Sequence, residues 1–218
     1  MTTAVFFPGN LMIRFVLFPI VIVSCITSCR PSTTSIRKLD LISSNRPFCS
    51  VSIELTNDFD TLHNWIHRSD YNCGDLRKYR FQSSVYPMVE DSFELSDQPD
   101  SMYGLTISHR FAPECDKSRM DDLPDSALKK IYTFMKHLKY GKEPRFSIYE
   151  ITKINGLSFV TYAIIDTTND QLIKQELKST VYFKEHFIHF VFTKSSGLFK
   201  DTSFIADSYE MLKTVRLQ

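Results

Sequence analysis

The segment FSIYEITKINGLSFVTYAIID (residues 146–166) decides the fold of this chain. Two runs rich in β-branched and aromatic residues, Phe146 to Ile154 and Leu157 to Asp166, flank the pair Asn155-Gly156. Asn-Gly supplies the two positive φ angles that a type I′ turn requires, so it is a strong signal for a β-hairpin. The segment therefore predicts an antiparallel hairpin within a larger sheet.

The chain continues from this hairpin into a second one and a terminal helix. Leu172 to Phe183 and Phe187 to Thr193 again favour strands, joined around Lys184-Glu185-His186. Asp201 to Ser203 offers side chains suited to capping the N-terminus of a helix. The apolar residues of that helix are Phe204, Ile205, Met211, Leu212 and Val215. The C-terminal third is therefore predicted to be a β-meander with one sheet face covered by a helix.

The part of the chain before the meander predicts three strands and two helices. The strands are Cys49 to Leu55, Leu76 to Gln82 and Met102 to Phe111. Asn57-Asp58 suits the start of a short amphipathic helix through Trp65, and a longer helix runs from about Asp125 to Tyr140. The chain is thus predicted to be an α+β protein, with an antiparallel sheet flanked by helices in a single domain over residues 48–218.

Two segments carry a resemblance to a known fold. They are FCSVSI (residues 48–53) at the start of the domain and FIADSYEMLKTVRL (residues 204–217) at its end. Together with the order of the predicted elements, they resemble the PsbP-like α/β/α sandwich, which also occurs in DcrB-like envelope lipoproteins of bacteria. The resemblance spans most of the domain. It implies accessory or scaffolding work in larger assemblies, and it carries over no catalytic motif.

The N-terminal segment FVLFPIVIVSCITSC (residues 15–29) is an apolar run that ends in Ile26-Thr27-Ser28-Cys29. This ending resembles the lipobox of bacterial lipoproteins, in which the cysteine is lipidated and becomes the mature N-terminus. The run from Phe15 to Ile26 has only 12 residues, whereas a transmembrane helix needs about 20. We therefore predict a signal peptide over residues 1–28, lipidation at Cys29 and a flexible tether over residues 29–47. The alternatives are an uncleaved anchor and a secretory signal with a coincidental cysteine.

The charges around the signal predict where translation starts and where the protein resides. Met1 to Asn10 carries no charge, whereas Met12-Ile13-Arg14 provides the basic residue that a signal peptide requires, so translation is predicted to begin at Met12. Arg30 follows the lipidated position and makes the outer membrane the default, with the domain in the periplasm or at the cell surface. Removal of residues 1–28 leaves 25 basic against 25 acidic residues. A protein without a basic excess is not expected to bind nucleic acid.

The remaining cysteines have different surroundings. Cys49 shares strand parity with Val51 and Ile53, which predicts a buried core thiol. Cys73 and Cys115 lie among turn residues, where an oxidising compartment allows a disulfide between them. Connectivity does not follow from sequence alone, so this pairing is one of the possibilities.

No catalytic signature is present in the sequence. His63 and His67 are four residues apart, a spacing that lets one helix face hold a metal ion, but a pair alone leaves a metal short of ligands. His109 lies on an apolar strand face, as a core histidine bonded to backbone would. Neither a metal nor a cofactor is expected.

Two classes of function follow. The first is a membrane-anchored envelope lipoprotein that acts as a non-catalytic accessory or interaction module, with the membrane and an envelope protein as partners. The alternative is a hydrolase or metal-dependent enzyme whose site is assembled from scattered residues such as His63, His67 and His109. A pocket lined by converging titratable groups would favour the enzyme, and an exposed apolar patch would favour the interaction module.

Overall fold

The computed structural model describes residues 33–67, 76–88, 102–111, 146–167, 173–196 and 201–218. These residues include ten strands and one helix. The strands are β1 (Thr34–Ser43), β2 (Arg46–Thr56), β3 (Thr61–His67), β4 (Leu76–Gln82), β5 (Met102–Phe111), β6 (Phe146–Ile154), β7 (Leu157–Thr167), β8 (Ile173–Phe183), β9 (His186–Ser196) and β10 (Arg216–Leu217). The helix α1 covers Phe204–Lys213.

The strands form two antiparallel sheets. The larger sheet has seven strands in the order β3-β4-β5-β9-β8-β7-β6, and the smaller has three in the order β1-β2-β10. Every strand pair in both sheets is antiparallel. The predicted α+β class with an antiparallel sheet is confirmed, as are the predicted strands β4 and β5 with their exact bounds.

In the described part of the chain, three hairpins turn through two residues with positive φ. These pairs are Ser44-Asn45 (φ 48° and 63°), Asn155-Gly156 (48° and 84°) and Lys184-Glu185 (48° and 64°). This is the backbone of a type I′ turn, whose twist matches that of the flanking strands. The hairpin predicted around Asn155-Gly156 is confirmed, since Ile154 pairs with Leu157. The second turn is one residue shorter than predicted because His186 already pairs with Phe183 in the ladder.

A substitution at Gly156 tests the role of this turn in stability. Gly156 has a φ of +84°, and a Cβ added there would meet nothing within 4 Å. Gly156→Val is therefore expected to act through backbone strain alone, at a cost of about 1–3 kcal/mol. For a chain of this size the melting temperature should fall by roughly 2–4 °C for each kcal/mol.

The matched control is Glu185→Gly in the neighbouring hairpin, where a non-glycine residue already occupies a φ of 64°. Glycine relieves strain at such a position, so this variant is expected to melt at a higher temperature than the wild type. If neither variant shifted the melting temperature, the strain assigned to these turns would be refuted.

One face of the seven-stranded sheet forms the hydrophobic core. The buried side chains on that face include Tyr79, Phe81, Leu105, Ile107, Phe159, Leu177, Val181, Phe190 and Phe192. They belong to a single cluster with Leu41, Val51, Ile53 and Leu55 of the small sheet and with Phe204, Met211 and Leu212 of α1. Burying a side chain of this size stabilises the fold by about 1.5–3 kcal/mol. Packing against this face therefore fixes the positions of the small sheet and the helix.

The predicted tether is wrong from Thr34 onward, because this stretch is strand β1. Leu39 and Leu41 are buried in the core cluster, whereas Ile36 and Lys38 on the opposite face are exposed. The compact unit accordingly spans Ser32–Gln218 and not residues 48–218. The physical reason is that two leucines at strand spacing bury more apolar surface in a sheet than in a solvated linker.

The predicted short helix from Asn57-Asp58 through Trp65 is also wrong. Residues 57–60 form a turn, and β3 follows and pairs with β4 along its whole length, from Thr61 opposite Gln82 to His67 opposite Leu76. The predicted helix over residues 125–140 lies outside the described residues. The terminal helix is confirmed, and the Asp201 carboxylate accepts the Ser203 backbone N–H at its start at 3.0 Å.

Candidate functional site

The two histidines proposed as weak metal ligands do not form a pair. His63 and His67 belong to strand β3 and not to a helix. Residues four apart in a strand share a face but lie about 13 Å apart along it, which is too far for both to hold one metal ion. Among the residues that the structure describes, no group of three or more histidine, cysteine or carboxylate side chains could hold a metal ion.

His109 lies on the opposite face of the sheet from His63. The register places His63 opposite Arg80 and Arg80 opposite Thr106, whereas His109 has the parity of Ile107 in the core. The three histidines named for the enzyme alternative therefore do not converge on one site.

His109 takes part in an aromatic cluster at the edge of the core. The ring of Phe48 stacks on His186 with a centroid distance of 3.8 Å and meets His109 edge-on at 4.9 Å. Burial, helped by the nearby His186, lowers the pKa of His109 to about 4, against a hydrogen bond to the backbone of Ile42 that raises it. The ring is thus neutral at pH 7. The predicted burial of His109 in the core is confirmed, and its role here is packing.

Cys49 is a free, buried thiol, as predicted. Burial raises its pKa, which keeps the thiol protonated and unreactive at neutral pH. Cys29, the predicted lipidation site, and the possible disulfide partners Cys73 and Cys115 lie outside the described residues.

The other face of the seven-stranded sheet carries buried polar side chains. Arg80 is only 2% exposed. Its guanidinium lies over the ring of Trp65 at 5.0 Å, and its Nε donates to Thr106 Oγ1 at 3.0 Å. These contacts join β3, β4 and β5. A buried arginine held between an aromatic ring and a hydroxyl stabilises neighbouring strands rather than presenting its charge to a ligand.

A second polar pair on that face joins β8 to β9. Thr180 Oγ1 and His189 Nδ1 are 2.9 Å apart, and desolvation lowers the pKa of His189 to about 4. His189 thus places a base beside the Thr180 hydroxyl, but Thr180 is only 6% exposed and the contact lies between paired strands. These two polar contacts therefore join neighbouring strands, and exposed side chains are the better candidates for a functional site.

Hydrogen bonds join several loops to one another near the start of β1. Thr33 accepts the backbone N–H of Asn57 at 3.1 Å, and Asn57 Nδ2 donates to Thr33 Oγ1 at 2.5 Å. The carboxylate of Asp60 accepts both the backbone N–H and the hydroxyl of Ser84 at 2.7 Å, and these bonds lower its pKa. We call this region, defined by Thr33, Asn57, Asp60 and Ser84, the Thr33 end.

Exposed apolar side chains concentrate at the Thr33 end. Among the described residues, five large hydrophobic side chains are exposed. Three of them belong here: Ile36 (64% exposed) near the start of β1, Leu62 (43%) near the start of β3, and Val85 (78%) beside Ser84. Grouped exposed apolar side chains mark contact surfaces more often than single ones do. The Thr33 end is therefore the candidate interaction surface.

This surface was missed in the sequence because two of its three parts were assigned to other structures. Ile36 fell in the predicted tether and Leu62 in the predicted helix, where neither would be singled out. The available signal was Val85, an apolar residue within the turn-forming run Ser83-Ser84-Val85-Tyr86-Pro87.

Comparisons with known proteins give structural neighbours only. No family model matches this chain, and no curated protein sequence does either. The crystal structure of LpqN, involved in cell envelope biogenesis of Mycobacterium tuberculosis, matches with a TM-score of 0.43 and 10% identity, covering 84% of this chain and 91% of LpqN. The solution structure of the cyanobacterial PsbP of Synechocystis matches with a TM-score of 0.43 and 11% identity, covering 85% of this chain and 94% of that one.

A Pseudomonas aeruginosa protein of unknown function also matches, with a TM-score of 0.32 and 12% identity, over 69% of this chain and 92% of that chain. A PsbP thus stands among the structural neighbours. At these identities and TM-scores the neighbours assign no function to this chain. In the described part of the chain, no helix is long and apolar enough to span a membrane.

Proposed function

We propose that the protein is a lipid-anchored lipoprotein of the cell envelope, in which the domain from Thr33 onward is a non-catalytic accessory or interaction module. The observation that carries the proposal is the apolar run over residues 15–26 that ends in Ile26-Thr27-Ser28-Cys29, directly before the folded domain. A signal peptide of this kind delivers a domain to a membrane surface and leaves it outside the bilayer. Arg30 favours the outer membrane as its location.

The described part of the domain supports a non-catalytic role. Its buried histidines, Arg80 and Cys49 are held in packing or strand-joining contacts, and the three histidines that would build an enzyme site lie apart. An interaction module instead needs a stable scaffold and an exposed contact surface. The Thr33 end provides exposed apolar side chains for contact on such a scaffold.

The test is mass spectrometry of the full chain isolated from the envelope of a bacterium that expresses it. The expected result is an N-terminal Cys29 that carries a diacylglyceryl group, with residues 1–28 removed. The Cys29→Ser variant should lack the lipid and should move from the membrane fraction to the soluble periplasmic fraction. An unmodified Cys29, or a mature N-terminus elsewhere, would contradict the proposal.

A further inference from the structure

We propose that the Thr33 end of the domain lies against the membrane surface, with Val85, Ile36 and Leu62 in contact with a zwitterionic lipid bilayer. This inference rests on the proposed lipid anchor at Cys29, and it assigns a binding surface and a partner to the domain.

Chain length restricts where the membrane can be. Cys29 and Thr33 are four residues apart, so their Cα atoms can be separated by at most about 14 Å. The chain is fixed at Thr33 by its two hydrogen bonds to Asn57. A diacylglyceryl group on Cys29 would therefore hold the Thr33 end close to the lipid headgroups, and a domain attached so closely has little freedom to turn this end away.

Hydrogen bonds bring the turn that carries Val85 to the same end as Thr33. Asn57 is bonded to Thr33, and Asp60, three residues further along the same turn, is bonded through its carboxylate to Ser84. Val85 therefore follows directly after a residue that is fixed at the Thr33 end, and 78% of its surface is exposed. Exposed apolar side chains gain free energy when they enter the interfacial region of a bilayer.

The charges at this end select the kind of bilayer. Glu54, Asp58 and Asp60 are exposed carboxylates near the start of β1, and Lys38 is an exposed basic residue on the same strand face as Ile36, so acidic groups are in excess there. Anionic headgroups would repel them, whereas zwitterionic headgroups carry no net charge. The partner that fits is therefore a bilayer of phosphatidylcholine or phosphatidylethanolamine, and the apolar side chains rather than basic ones make the contact.

The opposite end of the domain supplies a matched reference position. Arg46 is exposed at the first residue of β2, and β2 has 11 residues, so Arg46 lies about 30 Å from the Thr33 end. If the domain is oriented as proposed, Arg46 points away from the membrane.

The experiment uses tryptophan as a depth probe in the full-length, acylated protein, since the chain has one native tryptophan, the buried Trp65. Val85→Trp and Arg46→Trp are each reconstituted into phosphatidylcholine vesicles that contain lipids brominated near the headgroup. The emission added by Val85→Trp is expected to fall roughly twofold, because an interfacial tryptophan lies at headgroup depth. The emission of Arg46→Trp should equal its value in unbrominated vesicles.

Hydrogen exchange of the wild-type protein gives a second measurement that needs no substitution in the domain. Amides of residues 83–88 should exchange more slowly in the vesicle-bound protein than in the soluble Cys29→Ser variant, whereas residues 43–48 should exchange alike in both. Equal quenching at positions 85 and 46 with Cys29 acylated overturns the orientation and leaves the lipoprotein proposal standing. If residues 83–88 are protected from exchange while Val85→Trp is not quenched by brominated lipid, the surface contacts a protein and the proposed orientation is overturned. An unacylated Cys29 overturns both.

Discussion

Leu41→Ala is expected to lower the free energy of unfolding by about 2–5 kcal/mol, the usual range for a fully buried leucine. Leu41 has no exposed surface and belongs to the core cluster. Truncation removes its contacts and leaves a cavity between the small sheet and the seven-stranded sheet. The loss is a large fraction of the 5–15 kcal/mol that is typical of a domain. Chemical denaturation of the purified protein, followed by circular dichroism, measures it.

Ile36→Ala in the same strand is the control. Ile36 is 64% exposed, on the face of β1 that points away from the core. Its truncation should change the free energy of unfolding by no more than about 0.5 kcal/mol. A flexible tether over residues 29–47 would instead make both substitutions neutral. Equal and negligible effects at the two positions would thus restore the tether and remove β1 from the fold.

Mild acid is expected to destabilise the protein through the buried His109 and the partly exposed His189. Desolvation lowers the pKa of His109 and that of His189 to about 4 in the folded protein, below the ordinary value of 6.5. Between pH 6.5 and pH 4 the unfolded chain binds protons that the folded protein does not bind, so stability falls as the pH falls. By pH 5 the loss should be about 2 kcal/mol for each ring, since one pKa unit corresponds to about 1.4 kcal/mol.

Thermal melts at pH 7 and pH 5 measure this effect. Most carboxylates stay ionised between these two pH values, so their protonation contributes little to the difference. His109→Phe keeps an aromatic ring beside Phe48 but cannot take up a proton. Its melting temperature should therefore fall less than that of the wild type between the two pH values, whatever its stability at pH 7. If the two proteins lost stability in parallel, His109 would not be a source of the acid sensitivity.

The local signals in the sequence were sufficient for the meander. Asn155-Gly156 fixes the register of its hairpin because the turn allows only one pairing, and alternating apolar residues then assign each side chain to a face. Apolar positions of the terminal helix recur at helical spacing, and Phe204, Met211 and Leu212 are buried in the core as that pattern predicts. The sequence signals that determine these elements therefore lie within a few residues of one another.

The elements that sequence reasoning missed depend on partners distant in the chain. In β3, Leu62, Trp65 and Ile66 have the spacing of a helix face, and it is pairing with β4 that makes the segment a strand. In β1, serine and threonine suit a linker as well as a strand, and the choice is made by the buried positions available to Leu39 and Leu41. For the Thr33 end the sequence offers only Val85 as a signal, because Ile36 and Leu62 join it through strand starts that tertiary structure brings together.

The pairing of β10 with β2 has a consequence for the order in which folding can be completed. Ser50 and Gln218 exchange two backbone hydrogen bonds of 3.0 Å, and Arg216 and Leu217 pair with Ser52 and Val51. These partners are more than 160 residues apart in the sequence. Contacts between such distant residues close a long loop and form more slowly than contacts within a hairpin. We therefore expect the small sheet to acquire its third strand late in refolding, after the local hairpins of the seven-stranded sheet have formed.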